Sequence, residues 1–466
     1  MLTYDFTKIE GPIYLYVYRC IKEDIIAGNL KPGDRLPSKR TFAQNHGVST
    51  ITIQNAYDQL ISEGYVYTLP KKGYYVSNIE GMTVKRQNRD VDYDIHIPEE
   101  ATYQCDFSSN GINPDNFPFS VWTKISRDVM SNKKEELMQI SSVAGVRALR
   151  EAIAKHLQSF RGMVVDPNQI VIGAGTEYLY SMIIELLGND TGYAIENPGY
   201  KKLETIYKRR GIECRFVSMD EDGVTVEELE RSQAEVAHIC PNHHYPTGTT
   251  MPASRRYEIL AWANKKEGRY IIEDDYDSEF RMEGKPIPTL FSIDASEKVI
   301  YMNTFSKSLT PTIRISYMVL PVNLANKFYE KMSIYSCTVS NFEQYTLAQF
   351  IAEGYFEKHI NRMRLFYKKK RKAIVKIIRE TGLCEIVEND AGLHFLIRVD
   401  TDYSDYEVEQ RLLKRGIKIR AISDYYFDDK NKREHYFIIN YSNLDENKVR
   451  NVFQMLKQLE LAAKKK

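Results

Sequence analysis

The densest chemical signal is N-T-F-S-K-S-L-T-P-T-I-R-I-S-Y, residues 303–317. Lys307 sits among small hydroxyl residues just after an apolar run, with Arg314 seven positions on. A lysine that forms a Schiff base needs a pocket that lowers its pKa and presents the amine to an aldehyde. Thr304, Ser306 and Arg314 are suited to grip a phosphate through hydroxyl donors and a charge-assisted pair. Standing alone, Lys307 would read as a surface lysine. R-Y-I-I-E-D-D-Y-D-S-E-F supplies a second signal: acids at the carboxyl end of an apolar strand, where open α/β sheets bind ligands. A carboxylate there keeps a pyridine nitrogen protonated and makes the ring an electron sink. Asp274 is the choice, with Tyr276 directed at the ring hydroxyl; Glu273, Asp275 and Asp277 are rivals. A metal-binding acidic cluster is the competing reading. No histidine or second acid cluster lies at ligand spacing, so no metal is expected. Upstream, I-V-I-G-A-G-T-E-Y-L-Y reads as a strand, a glycine turn and a helix start, whose free N–H groups at 174–177 suit an anion. Tyr200, in E-N-P-G-Y, offers a ring for stacking.

These residues require a scaffold of strands and helices. From about 104 to 462, the apolar runs QIVIGA, GYAIE, ECRFVS, VAHIC, RYIIEDD, KVIYMNTF and ISYMVL alternate with helical stretches at 145–160, 176–188, 197–210 and 253–267. That order predicts parallel strands with crossover helices, an α/β domain. A long helical region at 342–380 and a smaller α+β piece at 383–462 follow.

The first 79 residues form a different unit. Gly11-Pro12 suits a helix start with proline at the first helical position, and Ile13, Val17, Ile21 and Ile25 recur every four residues up to Gly28. Ser38 caps a short helix stopped by Gly47, and Ser49 caps a third through Glu63 with Ile53, Ala56, Tyr57 and Leu60 inward. Residues 65–69 and 74–77 read as a hairpin around Pro70-Lys71-Lys72-Gly73. Three short helices and a hairpin is the order of a winged helix-turn-helix. Its second motif helix enters the major groove with its first residues at the base edges. Ser49, Thr50, Thr52, Gln54 and Asn55 are the DNA-reading candidates; Lys39 and Arg40 suit phosphates, and Lys71 and Lys72 the backbone beside the wing. Residues 1–79 hold nine Lys/Arg and seven Asp/Glu, a net +2, so the electrostatic footprint is weak. Between the units, 80–103 is polar, charged and aperiodic, an extended linker.

Composition sets outer limits. The 466 residues are 43% hydrophobic and 27% charged with a net charge of +1, ordinary for a globular chain of two or three domains. No apolar run reaches the ~18 residues of a membrane helix, and no apolar core follows the N-terminus, so neither membrane insertion nor secretion is expected. Six scattered cysteines without C-x-x-C read as reduced thiols of a cytoplasmic protein.

P-G-D-R-L-P-S-K-R, G-V-S-T-I-T-I-Q-N-A-Y-D-Q-L-I-S-E-G-Y and K-K-G-Y-Y-V resemble the N-terminal domain of GntR-type bacterial transcription regulators. Many such domains carry arginines where this chain has Thr50 and Gln54, so the operator sequence does not carry over. The motifs around Gly175, Tyr200, Asp274 and Lys307 together resemble fold-type I pyridoxal-phosphate enzymes over 104–462. That resemblance implies Lys307 as the internal aldimine, Asp274 on the pyridine nitrogen, Tyr276 on the 3′-oxygen and Tyr200 stacked on the ring. It also implies Gly175, Thr176, Thr304, Ser306 and Arg314 around the phosphate. Two positions depart from the pattern. Glu177 replaces a glutamine, and an anion beside a phosphate is unfavourable unless protonated, turned away or paired. Tyr245 replaces the asparagine of an Asn-Pro-Thr-Gly turn.

The whole chain resembles the MocR-type regulators: a winged helix (1–79), a linker (80–103) and an aminotransferase-like effector domain (104–466) with a small C-terminal α+β subdomain. The resemblance implies a cytoplasmic head-to-tail homodimer that binds double-stranded operator DNA and senses pyridoxal 5′-phosphate or its adduct with an amino compound. Three alternatives stand beside it: a true aminotransferase with a fused winged helix, an amino-acid or γ-aminobutyrate sensor, and a dimerisation scaffold. Physiological turnover is not expected. Amino-acid-binding relatives hold the ligand carboxylate with arginines. Here Lys201 and Lys202 follow Tyr200, Ser423-Asp424-Tyr425 and Asn440–Asn443 lack arginine, and Arg420 lies near in sequence. The expectation is that the cofactor is itself the effector, as in the vitamin B6-synthesis activators of the family.

Overall fold

A computed structural model describes residues 4, 6, 11–79, 95–97, 101–109, 111–281, 287–387, 392–429 and 431–463. The chain divides into two units, Met1–Glu100 and Ala101–Lys466. Most of the linker expected at 80–103 lies outside the described residues. No helix among the described residues is long and apolar enough to cross a membrane.

In the first unit α1 (Ile13–Ile26), β1 (Arg35–Leu36), α2 (Lys39–His46), α3 (Thr50–Ser62), β2 (Val66–Leu69) and β3 (Gly73–Val76) follow in order. The capping residues act as their types dictate. Ser38 and Ser49 accept the backbone N–H groups of Thr41 and Thr52, each at 3.1 Å. Gly47 closes α2 in the left-handed region at φ 66°. Pro12 stands one place earlier than expected, at the N-cap of α1. Ile13 is exposed and Tyr18 takes a core place beside Val17, Ile21 and Ile25. Phe42, Ile53, Ala56, Tyr57 and Leu60 complete the core with Val66 and Val76. The wing has a third strand that the sequence did not announce: Arg35 and Leu36 pair antiparallel with Tyr75 and Tyr74. Two residues are too few to show a period.

The second unit is built on an eight-stranded sheet. From one edge its strands are Ile170–Gly173, Ser316–Val319, Val299–Thr304, Tyr270–Asp274, Val236–Ile239, Tyr193–Asn197, Cys214–Asp220 and Gly223–Val224. Four central pairings are parallel, as expected. Ser316–Val319 is not: it runs antiparallel to both neighbours. Only residues 305–315 separate it from the preceding strand, too few for a crossover helix. Strand alternation sorts the core. Ile172, Tyr301 and Tyr317 join one apolar cluster, and Val171, Ile300, Met302 and Met318 join another with helix Thr176–Leu187. The expected long helical region is two helices, Asn341–Ala352 and Tyr355–Thr381, separated at Gly354. The C-terminal α+β piece carries a four-stranded antiparallel sheet, ordered Cys384–Val387, His394–Val399, Tyr436–Asn440 and Arg420–Ala421.

Candidate functional site

One cavity of about 260 Å³ in the second unit is lined by Thr176, Tyr200, Asp274, Tyr276, Thr304, Ser306, Lys307 and Arg314. Gly175 adjoins it as the N-cap of helix Thr176–Leu187, at φ 91°. The nine residues expected around a cofactor are therefore brought together. The antiparallel return of Ser316–Val319 is what closes the group. It pairs Ser316 with Thr304, and the Ser316 hydroxyl donates to Thr304 Oγ1 at 2.8 Å. Thr304 in turn caps the short helix Phe305–Ser308 that carries Lys307, accepting the Ser306 N–H at 3.1 Å. Arg314 adopts φ 51°, a left-handed conformation costing a non-glycine residue about 1–2 kcal/mol. Burial pushes the Lys307 amine down to about 8, against the pull of the Asp277 charge.

The pleat separates Asp274 from its rivals, because successive strand residues face opposite sides. Asp274 shares its side with Ile272, Ile300 and Met302 and accepts the Tyr180 hydroxyl at 2.9 Å. Glu273 points the other way. It accepts the backbone N–H groups of Leu290 and Phe291 at 3.0 Å, and burial pushes it up to about 7. Asp275 forms a buried ion pair with Arg161 at 2.5 Å and accepts from Asn242 and Tyr301. Asp277 lies 2.9 Å from His243 Nδ1, which also meets the Tyr276 hydroxyl at 3.2 Å.

Several neighbours escaped sequence reasoning. His238, on an apolar strand, sets Nε2 3.5 Å from Asp274, while its Nδ1 meets the Tyr207 hydroxyl at 2.6 Å. His243, Asp277 and His394 gather into one buried group although the sequence scatters them. Glu196 lines the cavity, and burial pushes its carboxyl up to about 8. Glu177 proves to be paired: Arg314 donates to it at 2.5 Å and Lys202 donates to its other oxygen. Tyr245, in the asparagine position, spends its hydroxyl on Tyr425 at 2.9 Å. Arg420 and Asp424 do not line the cavity; Arg420 meets Glu409 at 3.1 Å and Asp424 at 3.4 Å.

On the first unit, Arg40, Thr50, Gln54, Asn55, Lys71 and Lys72 are exposed. Ser49 and Thr52 are committed to each other, with their hydroxyls 2.8 Å apart. Lys39 is half-buried, its ammonium 5.5 Å from the Tyr74 ring centre. Ile51, 71% exposed among the polar candidates, went unnoticed. An apolar contact of its type suits a thymine methyl.

Comparison with known proteins agrees with both halves. Residues 13–76 match the family described as bacterial regulatory proteins, gntR family, and residues 103–456 match aminotransferase class I and II. The HTH-type transcriptional regulator YdeL of Bacillus subtilis is 35% identical over 89% of this chain and 90% of its own. The probable rhizopine catabolism regulatory protein MocR of Rhizobium meliloti is 28% identical, over 97% and 94%. The HTH-type pyridoxine biosynthesis transcriptional regulator PdxR of Corynebacterium glutamicum is 28% identical, over 87% of each. Among solved structures, Pyrococcus horikoshii kynurenine aminotransferase superposes with a TM-score of 0.68 at 23% identity, over 78% of this chain and 94% of that one. An archaeal alanine:glyoxylate aminotransferase gives 0.69 at 24%, over 77% and 91%. An aminotransferase fold of this class implies pyridoxal-phosphate binding, and the residues present fit that group. Asp274 Oδ1 is buried with no partner among the described residues, an acceptor for a protonated ring nitrogen. With a DNA-binding domain of one family joined to an effector domain of the other, and relatives matched along nearly their whole length, the chain belongs to the GntR family as a MocR-type transcription regulator.

Proposed function

We propose that this regulator senses pyridoxal 5′-phosphate in its large domain and transmits that occupancy to operator DNA held by its winged helix. The observation that carries the reading is the buried Asp274 Oδ1, which has no hydrogen-bond partner among the described residues, in the cavity that Lys307 lines. When bound, the cofactor supplies an aldehyde for a lysine and a ring that stores electrons. Lys307 offers the attaching amine, Asp274 holds the ring-nitrogen proton, Tyr276 meets the ring oxygen and Tyr200 covers a face. Thr176, Gly175, Thr304, Ser306 and Arg314 take the phosphate. At the head, Arg40, Lys39, Lys71 and Lys72 contact phosphates, and Thr50, Gln54 and Asn55 read bases. Ser49 and Thr52 contribute by fixing the start of α3.

The cofactor itself is the effector in this reading, and vitamin B6 synthesis is the regulated process, as the name of the PdxR relative states for that protein. Support comes from the absence of a spare arginine: Arg314 is the one arginine lining the cavity among the described residues, and Arg420 is spent on Glu409 and Asp424. The protein acts in the cytoplasm with 80–103 as a linker. It works as a head-to-tail homodimer, for which exposed Met138, Ile140 and Phe342 supply apolar surface.

The test is binding of the purified chain to its own upstream DNA, with and without pyridoxal phosphate and with a panel of amino acids and γ-aminobutyrate. A cofactor-dependent change in DNA affinity is expected. A saturable change driven by micromolar amino acid would replace this reading with an amino-acid sensor, and multiple-turnover transamination would replace it with an enzyme.

A further inference from the structure

Glu177 lies in the first turn of helix Thr176–Leu187, beside the hydroxyl and arginine donors. Its carboxylate bridges two cations, taking a hydrogen bond from Arg314 on one oxygen and from Lys202 on the other. The bridge is seated on the glycine turn. A Cβ on Gly175 would fall 2.1 Å from Arg314 Nη2 and 2.8 Å from Glu177 Oε2. An anion of the chain therefore sits at the amino end of the helix, where the free N–H groups and the dipole favour negative charge. Burial would raise the Glu177 carboxyl, but Lys202, the backbone N–H and Arg314 hold it near 2, so it is ionised at physiological pH. A separate feature marks the cavity as one built for a ligand: the His238 side chain is 1% exposed, yet its Nε2 has no hydrogen-bond partner among the described residues.

We propose that Glu177 is an internal competitor for the phosphate site, so that a phosphate monoester enters by exchanging with this carboxylate on Arg314 and Lys202. The ligand's identity rests on the function proposed above; the competition does not. A phosphate dianion and a carboxylate cannot both be neutralised by two monocations at hydrogen-bond distance. The two compete for the same cations, and the Glu177 side chain, 31% exposed, has water to turn into. Displacement into water costs far less than burial of an unpaired charge, so Glu177 weakens binding by about an order of magnitude and does not abolish it. An unphosphorylated aldehyde does not compete with Glu177. The residue thus narrows the preference for phosphorylated over unphosphorylated ligand. It also raises by about tenfold the concentration at which the site half-fills.

The experiment compares the full chain with Glu177→Gln, which keeps the shape and removes the charge. Both are titrated with pyridoxal phosphate, with pyridoxal and with inorganic phosphate, followed by absorbance and calorimetry. Glu177→Gln is expected to bind pyridoxal phosphate and inorganic phosphate about tenfold more tightly, with pyridoxal unchanged. Equal or weaker affinity for both phosphates overturns the proposal and makes Glu177 a clamp that orients Arg314. A gain that extends to pyridoxal also overturns it, because the effect would then not act on the phosphate. The inorganic-phosphate arm needs no Lys307 chemistry. Tighter phosphate binding in a chain that never takes up pyridoxal phosphate would remove the cofactor reading and leave the competition standing.

Discussion

At the start of α3, the hydrogen-bonding groups are either used by the helix or left in water. Ser49 and Thr52 satisfy each other and the helix end, and Thr50, Gln54 and Asn55 face solvent. In the cavity, Asp274 Oδ1 and His238 Nε2 are buried with no hydrogen-bond partner among the described residues, His238 Nε2 standing 3.5 Å from the other Asp274 oxygen, while hydroxyls and cations line the same space. A water-facing amide loses almost nothing when no DNA is present. A buried acceptor left unmade costs about 1–3 kcal/mol, which a bound ligand offsets. The two regions therefore present polar groups differently: the head keeps them exposed to water, and the cavity keeps them buried with no hydrogen-bond partner among the described residues.

The largest effect is expected at Lys307. Lys307→Ala should eliminate the borohydride-fixed cofactor label, while the isolated chemistry of the head is untouched; a label mapping to another lysine would refute the assignment. In the unaltered chain, attachment requires the neutral amine. Because burial brings that amine down to about 8, the attachment rate should climb about tenfold per pH unit up to there and then level off. Next is the ion pair beneath the cavity. Arg161→Leu leaves Asp275 buried and uncompensated, and chemical denaturation should show a loss of about 3–5 kcal/mol. Asp274→Asn removes a charged acceptor from the ring nitrogen and should weaken cofactor binding about 10- to 100-fold by equilibrium dialysis, with the fold intact. If affinity stays the same, the unpaired oxygen is not the ring's partner. The smallest change is at the surface. Arg40→Ala should weaken specific and non-specific DNA binding alike and lower the salt slope by about 0.9, measured by titration at several salt concentrations. Unaltered salt dependence would take Arg40 off the interface.

Local rules made much of this molecule legible. The Ser38 and Ser49 caps, the Gly47 stop and the inward face of α3 depend on residues within four positions of one another, and sequence places those reliably. The same holds for the apolar runs that became strands, and for the lysine segment, whose hydroxyls and arginine lie within a few residues of Lys307. The strand Arg35–Leu36 was too short to carry a pattern. The antiparallel run at 316–319 looked like any buried strand, because apolar burial on both faces does not encode direction.

A winged-helix head before a lysine-centred pocket, and the residues that could serve each, were legible along the chain. How the charges are distributed among them depends on contacts between distant segments. Tyr180 reaches Asp274 across 94 positions, Arg161 reaches Asp275 across 114 and Arg314 reaches Glu177 across 137. A carboxylate's role depends on which cation or donor lies within a few ångströms, since the interaction grows steeply as distance and local dielectric fall. Chain separations of that size carry no local pattern, so the adjacent acids of residues 273–277 acquire different duties only when the pleat turns them to opposite faces and the fold brings each its partner.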